Sequence, residues 1–151
     1  MRRTIRLVPL LVPLLAVIAA PAAHGQAPDL DRGLHRLVDE YISLYRPDRL
    51  ADWRGLFSPS FTVASTTSDG GLSVRGLDAF FQAQERGFAR SKEMGERLEN
   101  VKIERRGRLA NVWADFVFWQ DGSTSRGKLV LLAAADRGGW RFHSLMFTYE
   151  E

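Results

Sequence analysis

The chain has 151 residues, no cysteine, and 21 basic against 18 acidic residues. The absence of cysteine excludes disulfide bonds, thiol nucleophiles and cysteine-ligated metals. Three of the basic residues, Arg2, Arg3 and Arg6, precede every acidic residue, so the remainder carries 18 of each sign. That balance argues against nucleic acid as a partner, because nucleic-acid binding requires a basic face on the folded domain.

The N-terminal segment has the order of a secretory signal peptide. A cationic start at 1–6 precedes an apolar run at 7–20, and small residues follow. The run is shorter than the about 20 residues that a membrane-spanning helix needs, and it contains Pro9 and Pro13. Cleavage is therefore favoured over a stable membrane anchor. The arginine pair at positions 2 and 3 leaves twin-arginine export open beside ordinary secretion.

We expect residues 1–25 to form the signal peptide, cut after Gly25, with Ala22 and Ala23 as alternative positions. Residues 26–151 are then a single exported domain, either periplasmic or secreted.

The first half of this domain predicts three helices and a short hairpin. Apolar residues recur at helical spacing from residue 30 onwards, and Pro47 and Asp48 separate the first helix from the second. The three-residue stretch 58–60, Ser-Pro-Ser, ends the second helix. The predicted helices cover 30–45, 50–57 and 77–91, and the strands between the second and third cover 61–66 and 72–74.

The second half predicts an antiparallel meander. Strand-like runs at 97–106, 109–120, 123–135 and 139–149 are separated by three glycine-containing turns. Both alternating sets of the second run are apolar, so each face of the sheet needs a cover. We expect the helices on one face and a second protomer on the other, which predicts a homodimer through the sheet.

Short motifs support a fold of this type. They are Tyr41-Ile42-Ser43-Leu44, then Leu56-Phe57, then Gly76-Leu77-Asp78-Ala79-Phe80, and finally Gly139-Trp140-Arg141-Phe142. In their order and position they resemble the nuclear transport factor 2-like superfamily, which includes the SnoaL-like polyketide cyclases and ketosteroid isomerase. The resemblance implies an α+β cone in which three N-terminal helices pack on a strongly curved antiparallel sheet.

The resemblance also allows a test of isomerase chemistry. The isomerase's tyrosine donor corresponds to Tyr41, but its carboxylate base falls on Ser65 and its second acid falls at or near Val130. Proton abstraction beside a carbonyl is therefore not expected. Tyr41 is equally consistent with a buried phenol that is hydrogen-bonded to the backbone.

Asp115 and His143 are the other candidates for acid–base chemistry. Asp115 lies in the most apolar strand, and its pKa would be raised if it faced the cone interior. Facing outward, it would be an ordinary surface charge. His143 titrates near neutrality, although a lone histidine on a strand is more often structural. A catalytic set of Asp115, His143 and Tyr41 requires all three to line one cavity.

Three tryptophans, Trp53, Trp113 and Trp119, are candidates for binding a flat apolar ligand, or else supply bulk to a small core. No phosphate-binding loop or metal-ligand spacing is present in the sequence, so neither a cofactor nor a metal is expected. Two hypotheses follow. The first is a non-catalytic module that binds a small apolar molecule or a protein partner, and the alternative is a cofactor-independent lyase, cyclase or hydrolase.

Overall fold

The computed structural model describes residues 27–67 and 69–150. It contains three α-helices, with a short 3-10 helix, Pro47–Arg49, before the second. The helices are α1 Ala27–Ser43, α2 Leu50–Arg54 and α3 Leu77–Arg90, and the strands are β1 Phe57–Thr66, β2 Leu72–Gly76, β3 Met94–Arg106, β4 Leu109–Gln120, β5 Ser123–Asp136 and β6 Gly139–Tyr149. The predicted signal peptide, 1–25, lies outside the described residues. None of the described helices is long and apolar enough to cross a bilayer.

All six strands form one open sheet in the order β2-β1-β6-β5-β4-β3. The predicted meander of β3 to β6 is confirmed, and every neighbouring pair is antiparallel except β1 and β6, which run parallel. Register shifts interrupt three of the strand pairs, and such bulges increase the local bend of a sheet. The result is the α+β arrangement expected from the sequence, with a curved and mostly antiparallel sheet.

The helices cover the concave face of this sheet. On α1, buried apolar residues recur every three or four positions, at Leu34, Leu37, Val38 and Tyr41. On β4, Val112, Ala114 and Phe116 face the same core, whereas Trp113 points away and is 47% exposed. The helices therefore bury one apolar face of β4 and leave the other face uncovered within the chain.

Two differences from the predicted element boundaries affect the position of cavity residues. The second helix ends at Arg54 and β1 begins at Phe57, although Ser-Pro-Ser at 58–60 was expected to separate them. Pro59 fits in the strand because it lies in the irregular stretch of the β1–β6 ladder, where no regular hydrogen bond is lost. The other difference is that β3 begins at Met94 rather than at residue 97, which brings Glu96 into the sheet.

A tight hairpin holds the start of β3 in place. Asp121 and Gly122 both have positive φ, at 49° and 83°, as a two-residue type I′ turn requires. The Asp121 carboxylate accepts hydrogen bonds from the backbone N–H groups of Lys92 and Glu93, at 2.7 and 3.1 Å. The β4–β5 turn is therefore tied to the residues just before β3, and it positions Glu96 against β4.

Candidate ligand-binding cavity

A cavity of about 150 Å³ lies between the concave face of the sheet and the helices. Most of its wall is aromatic, and residues from all three helical segments and five strands contribute. The aromatic lining residues are Tyr41, Tyr45, Trp53, Phe80, Phe116, Phe118, Phe147 and Tyr149. Three other polar or charged side chains interrupt this wall, namely Arg75, Gln84 and Glu96.

Tyr41 stands on the buried face of α1. Its backbone carbonyl accepts a hydrogen bond from the indole N–H of Trp53 at 2.8 Å, and the two rings lie 5.6 Å apart. Burial raises the pKa of the Tyr41 hydroxyl well above its ordinary value of 10, and the negative charge of Glu96 raises it further. Tyr41 therefore stays protonated at neutral pH, and its hydroxyl is a hydrogen-bond donor beside Glu96.

Glu96 is the carboxylate of the cavity. It lies on β3 opposite Phe118, and its Oε1 atom is inaccessible to solvent and has no hydrogen-bond partner among the described residues. Burial raises the pKa of this carboxyl from 4.5 to about 7, although hydrogen bonding from the Tyr41 hydroxyl opposes the shift. Near neutral pH both protonation states of Glu96 are populated, which is the condition for a general acid or base.

Tyr45 and Gln84 join the helices at the rim. The Tyr45 hydroxyl donates a hydrogen bond to Oε1 of Gln84 on α3 at 2.5 Å. Burial, and then the charge of Glu96, raises the pKa of Tyr45 above its ordinary value. The pair therefore fixes the distance between the end of α1 and α3, and leaves the Gln84 amide N–H₂ as a donor.

Arg75 contributes to the cavity from β2, the edge strand at the other end of the sheet from β3 and Glu96. It lies on β2 opposite Val63, and its Nε is buried without a hydrogen-bond partner among the described residues. Tyr149, on β6, responds to both charges of the cavity. Its pKa is raised by burial and by Glu96 and is lowered by Arg75. The cavity thus has an acidic and a basic side.

The structure does not bring the expected acid–base set together. Asp115 lies on the outer face of the sheet, where its carboxylate accepts hydrogen bonds from Lys128 Nζ and Asn100 Nδ2, each at 2.7 Å. These bonds lower its pKa below the ordinary value, so it is not the desolvated carboxyl that an inward position would create. His143 occupies the register shift of β6 between Phe142 and Ser144, and it is not among the lining residues. Of these three residues, only Tyr41 is part of the cavity wall.

The three candidate tryptophans also occupy different places. Trp53 is fully buried and lines the cavity. Trp113 lies in a shallow groove on the outer face. Trp119 lines another outer-face depression and packs on Gly95, where an added Cβ would lie 2.3 Å from the indole ring.

Five lining residues were not predicted from the sequence, namely Glu96, Arg75, Tyr45, Gln84 and Tyr149. A usable signal was the alternation of Met94, Glu96 and Leu98, which places a carboxyl in line with apolar residues once the strand is extended. Within residues 27–67 and 69–150, no three acidic or histidine side chains come together as metal ligands would.

Neither a protein-family profile nor a curated protein sequence matches the chain. Solved structures do match, at low identity. An NTF2-like protein of unknown function from Shewanella baltica is 16% identical, with a TM-score of 0.64 over 83% of this chain and 97% of that one. A candidate aromatic ring hydroxylase from Novosphingobium aromaticivorans is 14% identical, with a TM-score of 0.66 over 82% of this chain and 91% of that one.

A candidate scytalone dehydratase from the same organism is 16% identical, with a TM-score of 0.64 over 80% of this chain and 84% of that one. At these identities the likeness concerns the fold alone. The chain has the NTF2-like fold, as the sequence motifs predicted.

Proposed function

We propose that the protein binds a small, largely apolar molecule inside the cone. The observation that carries the proposal is the cavity of about 150 Å³, lined mostly by aromatic side chains, with Glu96, Arg75 and Tyr41 on its wall. A cavity of this volume accommodates one benzene-sized ring. An apolar enclosure with a few convergent polar groups is the usual form of a small-molecule site.

A filled-cavity variant tests the proposal. The retained ligand is measured by native mass spectrometry of protein purified without detergent. Gln84→Trp places a bulky ring in the cavity, whereas Gln82→Trp adds the same ring at an exposed position of the same helix. We expect Gln84→Trp to lose the molecule and Gln82→Trp to keep it. Equal retention by both variants, or an empty wild-type protein that binds no benzene-sized probe, would contradict the proposal.

A second candidate is acid–base catalysis in the same cavity. It is favoured by Glu96, a carboxyl whose pKa is raised to about 7 and which stands beside the protonated Tyr41 hydroxyl. A lyase, cyclase or hydrolase would use Glu96 to move the proton and Tyr41 to stabilise the developing oxyanion. In that case wild-type protein converts the retained molecule, and Glu96→Gln binds it unchanged. Identical fates in both proteins would leave only the binding function.

We further propose that the protein acts outside the cytoplasm. The support is the signal-like order of residues 1–25. Fractionation of an expressing cell, followed by N-terminal sequencing, is expected to recover a form that starts at Gln26. Full-length protein confined to the cytoplasm would rule the proposal out.

A further inference from the structure

Two buried side-chain atoms in the described part of the chain have no hydrogen-bond partner, and both belong to the cavity. They are Nε of Arg75 and Oε1 of Glu96. Buried polar groups in folded proteins are nearly always paired, because an unpaired one forfeits its hydration without compensation. Because two such unpaired atoms occur in one small cavity, we infer that a bound ligand forms hydrogen bonds with both.

The two atoms belong to strands at opposite edges of the sheet. Arg75 is on β2 and Glu96 is on β3, the first and last strands of the sheet order. They form no ion pair with each other, so neither satisfies the other. Arg75 offers a cationic donor and forms one pole of the cavity, and Glu96 offers a carboxylate acceptor and forms the other pole.

We propose that the ligand is a hydroxylated aromatic carboxylic acid, held with its carboxylate at Arg75 and its hydroxyl at Glu96. This inference rests on the proposed binding function and names the chemical class of its ligand. The guanidinium group is suited to a carboxylate, and a carboxylate accepts strongly from a phenolic hydroxyl.

The walls between the poles favour a flat ring. Phe116, Phe147 and Tyr149 already contact one another edge to face, with centroids 5.5 to 5.9 Å apart. A further aromatic ring adopts the same kind of packing at little cost. The volume of about 150 Å³ matches one ring with small substituents better than a fused multi-ring compound.

Calorimetric titration with matched probes tests the inference. The probes are 3- and 4-hydroxybenzoate, which carry both groups, benzoate and phenol, which carry one each, and benzene, which carries neither. At about pH 8 the Glu96 carboxyl is mainly ionised. We expect at least one hydroxybenzoate to bind about tenfold or more tightly than either single-group probe, as a charge-assisted hydrogen bond implies.

Variants of Arg75 and Glu96 show which ligand group each residue binds. Arg75→Gln is expected to reduce the affinity for hydroxybenzoate to that for phenol, and Glu96→Gln to reduce it to that for benzoate. Arg97→Gln and Glu99→Gln are matched controls, since this pair lies exposed on the outer side of β3. Thermal melting of each variant confirms that it is folded.

The outcomes separate the two proposals. Equal affinity for all probes, or loss of preference in the control variants as well, overturns the ligand class and leaves a nonspecific apolar cavity. Failure of every probe, benzene included, to bind saturably contradicts both the ligand class and the binding function.

Discussion

Glu96 is the residue that sets the chemistry of the cavity. A carboxyl among aromatic rings is disfavoured in its charged form, and the only polar neighbour that lowers its pKa is the Tyr41 hydroxyl. A desolvated carboxyl without a full set of hydrogen bonds weakens the fold, so it adds nothing to stability. Its presence therefore suits a binding or catalytic role better than a structural one.

The raised pKa of Glu96 predicts a pH-dependent stability. Well below pH 4.5 the carboxyl is protonated in both the folded and the unfolded chain, so its ionisation contributes no cost to stability. Between 4.5 and about 7 the folded state binds more protons than the unfolded state, so stability falls as pH rises. Above that range the full cost, roughly 3 kcal/mol, is present. Glu96→Gln removes the charge and should therefore stabilise the protein more at about pH 8 than at about pH 4.5.

Urea unfolding of Glu96→Gln at these two pH values checks the prediction. Glu99→Gln is the control, because Glu99 has a lowered pKa and pairs with Arg97 and Arg126 outside the cavity. A stability gain for Glu96→Gln that does not change with pH would mean that the carboxyl is not buried in solution.

Asp115 supports a contrasting prediction. Its carboxylate lies outside the cavity and is paired with Lys128 and Asn100. Asp115→Asn should therefore leave both ligand retention and catalysis unchanged, since neither the charge nor the shape of the cavity changes. Native mass spectrometry of this variant checks the point, and loss of the ligand would place the functional site on the outer face instead.

The sequence predicted part of the cavity and missed the rest for a physical reason. Tyr41 and Trp53 belong to helices whose apolar spacing predicts an inward face. Glu96 is flanked by Glu93, Arg97 and Glu99, so its charge resembles that of a solvated strand end. The alternation along β4 places Asp115 on the same face as Trp113. Which of the two faces packs against the helices depends on tertiary packing, which the sequence of one strand does not specify.

At the scale of the elements, the close approach between strands limits the size of the side chain that the sheet can accept at one position of β5. Gly127, on β5, is buried beneath Phe116, one of the cavity residues. A Cβ at this position would lie 2.1 Å from the Thr148 carbonyl oxygen and 2.5 Å from the Phe116 ring. Gly127 therefore allows Phe116 to lie flat over the strand and to form the cavity wall.

Gly127→Ala is expected to destabilise the protein, because backbone on β6 must move to admit the methyl group. The cost should be at the upper end of the range for overpacked cores, about 3 kcal/mol. Gly76→Ala is the matched control, since Gly76 has a φ of −80° and nothing within 4 Å of an added Cβ. Urea unfolding of both variants makes the comparison, and similar midpoints would disprove the close approach at Gly127.

The order of the elements could be predicted where the alternation of apolar residues and the glycine-containing turns indicate the same boundaries. The strands of the meander were predicted with nearly their observed limits, because glycine turns separate alternating runs. The parallel pairing of β1 with β6 was not predicted, since these strands are far apart in sequence and no local signal specifies their partner. The α2–β1 boundary was misplaced because proline and serine can end a helix or occupy an irregular strand equally well.

At the scale of the whole molecule, the outer face of the sheet is the unexplained surface. One row across four strands is entirely apolar, formed by Ala64, Met146, Val130 and Trp113 in register. Met146 and Trp113 are 51% and 47% exposed. The row on one side is polar and contains the Asp115–Lys128 ion pair, and the row on the other side is mixed, with Asn111, Leu132 and Ser144 in register. An apolar centre with a polar rim is the usual organisation of a protein interface.

We propose that a second copy of the chain covers this face, as the two apolar sets of β4 predicted from the sequence. A twofold axis through the row would place Trp113 of each copy against the row of the other, and ion pairs of both signs at the rim are compatible with self-association. Such a contact needs about 800 Å² from each protomer to be stable.

Trp113→Asp tests this homodimer, because a charge in the centre of an apolar interface is left buried and unpaired. We expect sedimentation at micromolar concentration to show a wild-type dimer and a monomeric variant that still retains its ligand, since Trp113 does not line the cavity. Leu109→Asp is the control, because Leu109 is 56% exposed but lies at the β3–β4 hairpin, outside the apolar row. A wild-type monomer, or a Trp113→Asp protein that remains dimeric, would place the interface elsewhere and leave the apolar row to a different protein partner.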